Sequence, residues 1–203
     1  VLAKIKGYND NRQAFYRLIP TCNVFYFLHT WTFPVVLNNF NPNMDIHIRE
    51  LKKEDNVSIA ALIRKVLTEF KRNQAGTVFT DPTTDNLYDL FTTAQAKYWI
   101  AEENGQVIGG CGIYPTAELP EGCAELVKFY LDPASRGKGI GKMLMEKSFE
   151  SARAMRFTQL YLESFPEFTT AISLYEKYGF QFLPEALGNS GHFACNVWML
   201  KDL

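Results

Sequence analysis

The stretch "RGKGIGK", Arg136 to Lys142, sets three glycines at alternate positions among an arginine and two lysines. Glycine loses conformational entropy wherever it is ordered, so this density implies a backbone shape or a close approach that side chains would forbid. The segment before it reads as a strand and the segment after it as a helix. A strand feeding a glycine turn that opens a helix offers exposed N–H groups and a helix dipole to an anion. The chemistry such a loop can do is to hold phosphate.

Spacing separates the binders that use this device. A Walker loop needs four residues between its first glycine and a Gly-Lys pair, then Ser or Thr; Gly137 is one residue too close to Gly141-Lys142, and Met143 has no hydroxyl for magnesium. The dinucleotide pattern GxGxxG fails as well, because Lys142 stands where its last glycine belongs. The pattern that fits is Arg-x-x-Gly-x-Gly, with Arg136, Gly139 and Gly141. Taken alone, a plain helix-entry turn would satisfy it too.

The elements that must position this loop are legible around it. Ile46 and Ile48 alternate with His47 and Arg49 as a short strand, after which Asp55 can cap a helix with Ile59, Leu62, Ile63, Val66, Leu67 and Phe70 on one face. Turn residues fill Asn73 to Thr84, and "DNLYDLFTTA" is a weaker helix. "YWIAEENGQVIGGCGIY" reads as two strands joined at Asn104-Gly105, and "AELVKFYL" as a third that stops at Asp132-Pro133. Beyond the loop, Ile140, Met143, Leu144, Ala152 and Met155 mark the buried stripe of a long helix. "QLYLES" is then a short strand, "PEFTTAISLYEKYG" a helix with Pro166 and Glu167 in its first turn and Gly179 at its C-terminal cap, and "HFACNVWML" a closing strand.

With "VKFYLDPAS" before the loop and "AISLYEKYGF", Ala171 to Phe180, downstream, the chain resembles the GNAT superfamily of acyl-CoA-dependent N-acyltransferases. The resemblance covers Met44 to Leu203. It implies an α/β (α+β) fold: a mixed, mostly antiparallel central sheet, splayed at the acyl-CoA site and flanked by about four helices. It also implies transfer of an acetyl group from acetyl-CoA to a primary amine, by direct attack and without metal. The acceptor would be a small molecule.

Roles follow residue by residue from that resemblance. Glu125, where the superfamily often carries a carboxylate, would be the general base; alternation puts it on one face with Val127, Phe129 and Leu131, and burial would raise its pKa. Tyr175 matches the superfamily's helix tyrosine and would protonate the leaving sulfur, with Tyr178 as the competing ring. The backbone of Phe129, Tyr130 and Leu131 would pair with the pantetheine arm. Arg136, Gly137, Lys138, Gly139, Ile140, Gly141 and Lys142 would hold the diphosphate, with Arg136 and the backbone weighted above the lysines. Glu163 and Ser164 would border the CoA channel, and Asn189 or His192 would come near the acceptor. Asp81, Asp85 and Asp89 hint at a cationic acceptor. A catalytically silent acyl-CoA sensor is the alternative reading, and pairing through C-terminal strands makes a homodimer the analogy.

Composition excludes other classes. With net charge −1 and a pI near 6.4, the chain shows no basic excess for nucleic acid. Its four cysteines form no CxxC pair, and its three histidines sit at no metal-ligand spacing, so reduced thiols in a cytoplasmic protein without a metal is the plain reading. Residues 1–43 read differently: "LIPTCNVFYFLHTWTFPVVL" is apolar, yet Asn23, His29 and two prolines interrupt it, which argues against a membrane span. The expected domain is therefore 44–203, starting at Met44, with an upstream extension before it.

Overall fold

Alternation at Ile46–Glu50 produces a strand, β1, in the structure, a computed structural model that describes residues 45–203. The three-and-four apolar pattern closes into helix α1 (Asn56–Glu69), with Ile59, Ile63 and Leu67 wholly buried. Asp55 does not cap α1 as the sequence suggests. Its carboxylate accepts two hydrogen bonds from Arg49, at 2.7 and 2.8 Å, and one from the Lys52 amide at 2.8 Å, which ties β1 to the helix entry. Helix α2 shrinks to Leu87–Leu90, because Asp81 accepts the Thr83 N–H and Pro82–Asn86 winds as a 3-10 turn before it.

Asn104 and Gly105 take positive φ of 51° and 77°, the tight turn expected between β2 (Lys97–Glu103) and β3 (Gln106–Tyr114). Next come β4 (Cys123–Leu131), α3 (Ile140–Ala154), β5 (Gln159–Ser164), α4 (Thr169–Lys177), β6 (Gln181–Phe182) and β7 (Val197–Asp202). Among the described residues the strands form one seven-stranded sheet in the order β1-β2-β3-β4-β5-β7-β6, and only the β4–β5 pair is parallel. The fold is thus the mixed, mostly antiparallel sheet with four helices that the resemblance implies. Helix α1 packs on one face with Leu87, Tyr98 and Ile100; Leu144, Met145 and Phe149 of α3 cover the other with Tyr175.

Element ends depart from the sequence reading for local reasons. The α3 stripe runs through Met145 and Phe149, leaving Met143 41% exposed. Helix α4 starts at Thr169 because a turn closed by the Phe168 N–H on the Phe165 carbonyl, at 3.0 Å, takes up Pro166 and Glu167. Gly179 ends it as expected: the Phe180 N–H reaches the Tyr175 carbonyl and the Gly179 N–H that of Glu176, a Schellman closure. Strand β7 begins only at Val197, since the Cys195 N–H turns back to the His192 carbonyl at 3.0 Å. The apolar run Leu18 to Leu37 and the expected start at Met44 lie outside the described residues. No helix among the described residues is long and apolar enough to cross a membrane.

Candidate active site

Strands β4 and β5 run side by side only at Cys123–Gln159, Ala124–Leu160 and Glu125–Tyr161. Past Glu125, β4 pairs only with β3 and β5 only with β7, so a wedge opens between them. Backbone groups of β4 face that wedge as an unpaired strand edge, which an extended ligand can join. The wedge widens into a cavity of about 310 Å³, bounded by Phe129, Tyr130 and Leu131, by the glycine loop and by Leu174 and Tyr175 of α4.

In the loop, Gly137 and Gly139 hold φ of 77° and 82°, and nothing stands within 4 Å of an added Cβ. The requirement there is the left-handed backbone rather than space. Gly141 differs, because its Cβ would stand 3.3 Å from both Leu131 and Phe129, on the floor of the cavity. Gly139 begins α3 without any side-chain cap, so the first-turn N–H groups remain open to an anion. Ile140 is 1% exposed and contributes only its backbone. Arg136 is held by Glu69 through two bonds of 2.8 Å and lies over the Phe70 ring. Lys142 lines the cavity, whereas Lys138 does not.

A second chamber of about 550 Å³ lies beyond Glu125, walled by Tyr114, Thr116, Lys128 and the segment Asn189 to Phe193. Glu125 is 4% exposed, and the Thr116 hydroxyl donates to it at 2.5 Å. Burial pushes its carboxyl up to about 7; Thr116, His192 and Lys128 act against that rise, while the Glu163 carboxylate adds to it.

The expected alternation from Glu125 through Phe129 and Leu131 is broken. Register passes from Gly112–Val127 to Gly110–Tyr130, so two residues, Lys128 and Phe129, oppose Cys111, and Lys128 takes a φ of 49°. Past this bulge Phe129 and Leu131 join the α3 side and Tyr130 the α1 side. Tyr98 pins the bulge. Its hydroxyl donates to the Lys128 carbonyl at 2.8 Å, and its ring crosses Gly110 and Gly112, where a Cβ would come within 2.5 and 2.6 Å.

Lys128 is buried, and its Nζ donates to Asp81 at 2.6 Å and to the Thr84 hydroxyl at 3.4 Å. Burial lowers its pKa against the pull of Asp81. His192 Nε2 stands 3.3 Å from the same Asp81 oxygen. Burial works to raise the Asp81 pKa, but His192, Lys128 and Thr83 outweigh it and hold the carboxyl well below the usual range. The sequence reading missed Lys128, Thr116 and Tyr98. Its one available signal was a lysine amid the apolar residues of "ELVKFYL", a charge that must find a partner if buried.

Other expected residues divide. Tyr175 lines the first cavity between the rings of Phe129 and Phe180, its hydroxyl bonded by no described residue, and burial raises its pKa. Tyr178 instead donates to Glu146 at 3.2 Å on α3, outside that cavity. Glu163 accepts from the hydroxyls of Tyr161 and Ser190, at 2.9 and 2.7 Å, and lines neither cavity, although Ser190 is on the wall of the second chamber; Ser164 is buried. Of the acidic set only Asp81 reaches the chamber, since Asp85 is bound by Arg64 and Asp89 by Asn86. Asn189 lines the chamber and bridges Ala117. The absence of metal spacing along the chain does not carry over into space: Glu125, Glu163 and His192 bring one ligand atom each within 4.8 Å of one another.

Comparison with known proteins bears on this geometry. The family model described as "Acetyltransferase (GNAT) family" matches residues 60–180. YjgM of Escherichia coli (strain K12), an uncharacterized N-acetyltransferase, is 39% identical over 168 residues, 82% of this chain and 100% of that protein. The probable N-acetyltransferase family 8 member 5 of Mus musculus is 36% identical over 45% of this chain and 41% of its own length. Among solved structures, an acetyltransferase of the GNAT family from Staphylococcus aureus Mu50 superposes with a TM-score of 0.66 at 18% identity, over 77% of this chain and 98% of that one. The PaiA N-acetyltransferase from Thermoplasma acidophilum, in complex with coenzyme A, gives 0.59 at 20% identity, over 79% and 100%.

Proposed function

The chain belongs to the acetyltransferase (GNAT) family and is an acetyl-CoA-dependent acyltransferase, and from that premise we propose that it transfers acetyl directly to a primary amine bound in the second chamber. Residues 44–203 are the transferase domain in this reading. Acetyl-CoA supplies a thioester whose carbonyl is activated for attack. The backbone of Gly137 to Lys142, with the first-turn N–H groups of α3, holds the diphosphate, and Arg136 adds charge once it leaves Glu69. The unpaired edge of Phe129 to Leu131 takes up the extended arm. Gly141 lines the same cavity, and its bareness leaves Leu131 and Phe129 their packing there.

The acceptor binds as its ammonium and gives one proton to Glu125, and the second proton that the acylated nitrogen sheds passes to water. The nitrogen lone pair forms the C–N bond as the C–S bond breaks, and the Tyr175 hydroxyl gives its proton to the sulfur. An N-acetyl product and CoA thiol result, and proton exchange with water resets Glu125 and Tyr175. A carboxyl raised to about 7 is half ionised at neutral pH, as a base working there should be. A raised tyrosine pKa keeps Tyr175 protonated, as an acid should be. The observation carrying this reading is the place of Glu125: buried, at the last β4–β5 pair before the wedge, and on the wall of the second chamber.

Calorimetric titration of acetyl-CoA, CoA and ATP into the full chain tests it, with Arg136→Ala and Gly139→Asp as controls and CoA thiol release as the readout of transfer. Both CoA species should bind, and the controls should weaken them. ATP binding without CoA binding overturns the reading. Acetyl-CoA binding with no amine-dependent thiol release leaves the acyl-CoA sensor in its place.

A further inference from the structure

Lys128 takes no part in the chemistry above, yet among the described residues it is the only Lys or Arg lining the acceptor chamber. Its ammonium is buried, and a buried ion pair is seldom kept for stability, since an apolar pair of similar volume is often as good. An ammonium has three donors. Asp81 at 2.6 Å and Thr84 at 3.4 Å take two of them, and no described residue takes the third. His192 commits Nε2 to Asp81, and no described residue bonds its other ring nitrogen. Asp81 itself is filled by Lys128, His192 and both the amide and hydroxyl of Thr83, so it has no capacity left for an arriving ammonium.

The chamber is therefore polarised. Its donors are Lys128 and His192 and its carboxylate acceptor is Glu125, with Glu163 within 4.8 Å behind the wall and bonded by hydroxyls rather than a cation. Glu125 and His192 bring ligand atoms within 4.8 Å of each other, so the two ends suit a ligand whose own opposite charges are only a few bonds apart. We propose that the chamber selects acceptors with a carboxylate beside the amine, as in an α-amino acid, with Lys128 and His192 anchoring the carboxylate while the amine faces Glu125. This deepens the transferase reading and rests on it. A diamine would bring its second cation against Lys128. The remaining volume, beside Leu90, Tyr114 and Phe193, receives the side chain, and a chamber of about 550 Å³ is of small-ligand size.

The test uses the full chain with acetyl-CoA and reads CoA thiol release from the twenty common amino acids, each beside its primary amide and its decarboxylated amine. For the best amino acid, kcat/KM should exceed that of its amide and its amine by about tenfold or more, because each analogue leaves the buried donors unmatched. Lys128→Met should bring the acid-to-amine ratio toward one, and Lys128→Arg, which keeps the charge, should preserve more of it; acetyl-CoA titration of both variants reads whether they fold. An amide or amine used as well as the acid by the unaltered chain overturns the proposal and leaves the transferase reading standing. A ratio unchanged in a folded Lys128→Met overturns the anchor. Acetylation of none of the three classes, with acetyl-CoA bound, overturns both readings together.

Discussion

Glu125→Gln should remove most of the transfer activity and at the same time stabilise the protein above neutral pH. The carboxyl is raised from 4.5 to about 7, with burial the largest cause. Its folded pKa lies above its unfolded one, so the protonated group favours the folded state. That contribution is fully present below about pH 4.5 and is lost as pH rises through about 7. With each pKa unit worth about 1.4 kcal/mol, complete ionisation costs the folded state roughly 3 kcal/mol. Most of that, roughly 2–3 kcal/mol, is lost between pH 5 and pH 8, on the order of 5–10 °C in Tm for a domain of this size. The glutamine does not titrate, and its carbonyl can still accept from the Thr116 hydroxyl.

Urea unfolding of both proteins at pH 5, 6, 7 and 8 checks this, because the stability gap between them should open across that range in favour of the variant. Over the same range kcat/KM of the unaltered protein should rise with an apparent pKa near 7, and the variant should lack that rise. A gap that is equal at pH 5 and pH 8 would refute the argument, since Glu125 would then ionise without penalty and would have no shifted pKa to offer catalysis.

Tyr175→Phe should lower kcat by about a hundredfold with little change in acetyl-CoA Kd, measured by thiol release and calorimetry; an unchanged kcat would reduce Tyr175 to a packing ring. Glu69→Gln frees the Arg136 guanidinium from its two carboxylate bonds and should tighten CoA binding by up to about fivefold, the worth of a partly exposed ion pair. That gain should vanish in an Arg136→Ala background, and a Kd unmoved by Glu69→Gln alone would mean that the guanidinium does not reach the diphosphate.

Much of this molecule could be read along the chain because the information is local. The helical stripe of Ile59, Ile63 and Leu67, the Asn104-Gly105 turn and the Gly179 cap each depend on residues a few positions apart. The glycine loop belongs to the same class, since the left-handed φ of Gly137 and Gly139 and the open N-terminus of α3 follow from the residues that compose them. The second chamber is not local. It joins Lys128 to Asp81 across 47 positions and Asp81 to His192 across 111, and no period or motif relates those residues. Hence nothing along the chain gives Lys128 a role or ties Glu163 to Ser190, 27 positions away.

The bulge at Lys128 shows why alternation was bound to fail at the point of most interest. A lysine disfavours positive φ, and the strand holds 49° there only because a residue thirty positions away supplies the restraint. The Tyr98 hydroxyl fixes the carbonyl of Lys128, and its ring needs Gly110 and Gly112 to be bare. Without the extra residue, Phe129 and Leu131 would share the face of Glu125. With it, the strand gives Glu125, Val127 and Lys128 to the second chamber and then turns Phe129 and Leu131 toward the wedge. One strand thereby serves two cavities, with the buried carboxyl of Glu125 on the wall of the second and at the last β4–β5 pair before the wedge.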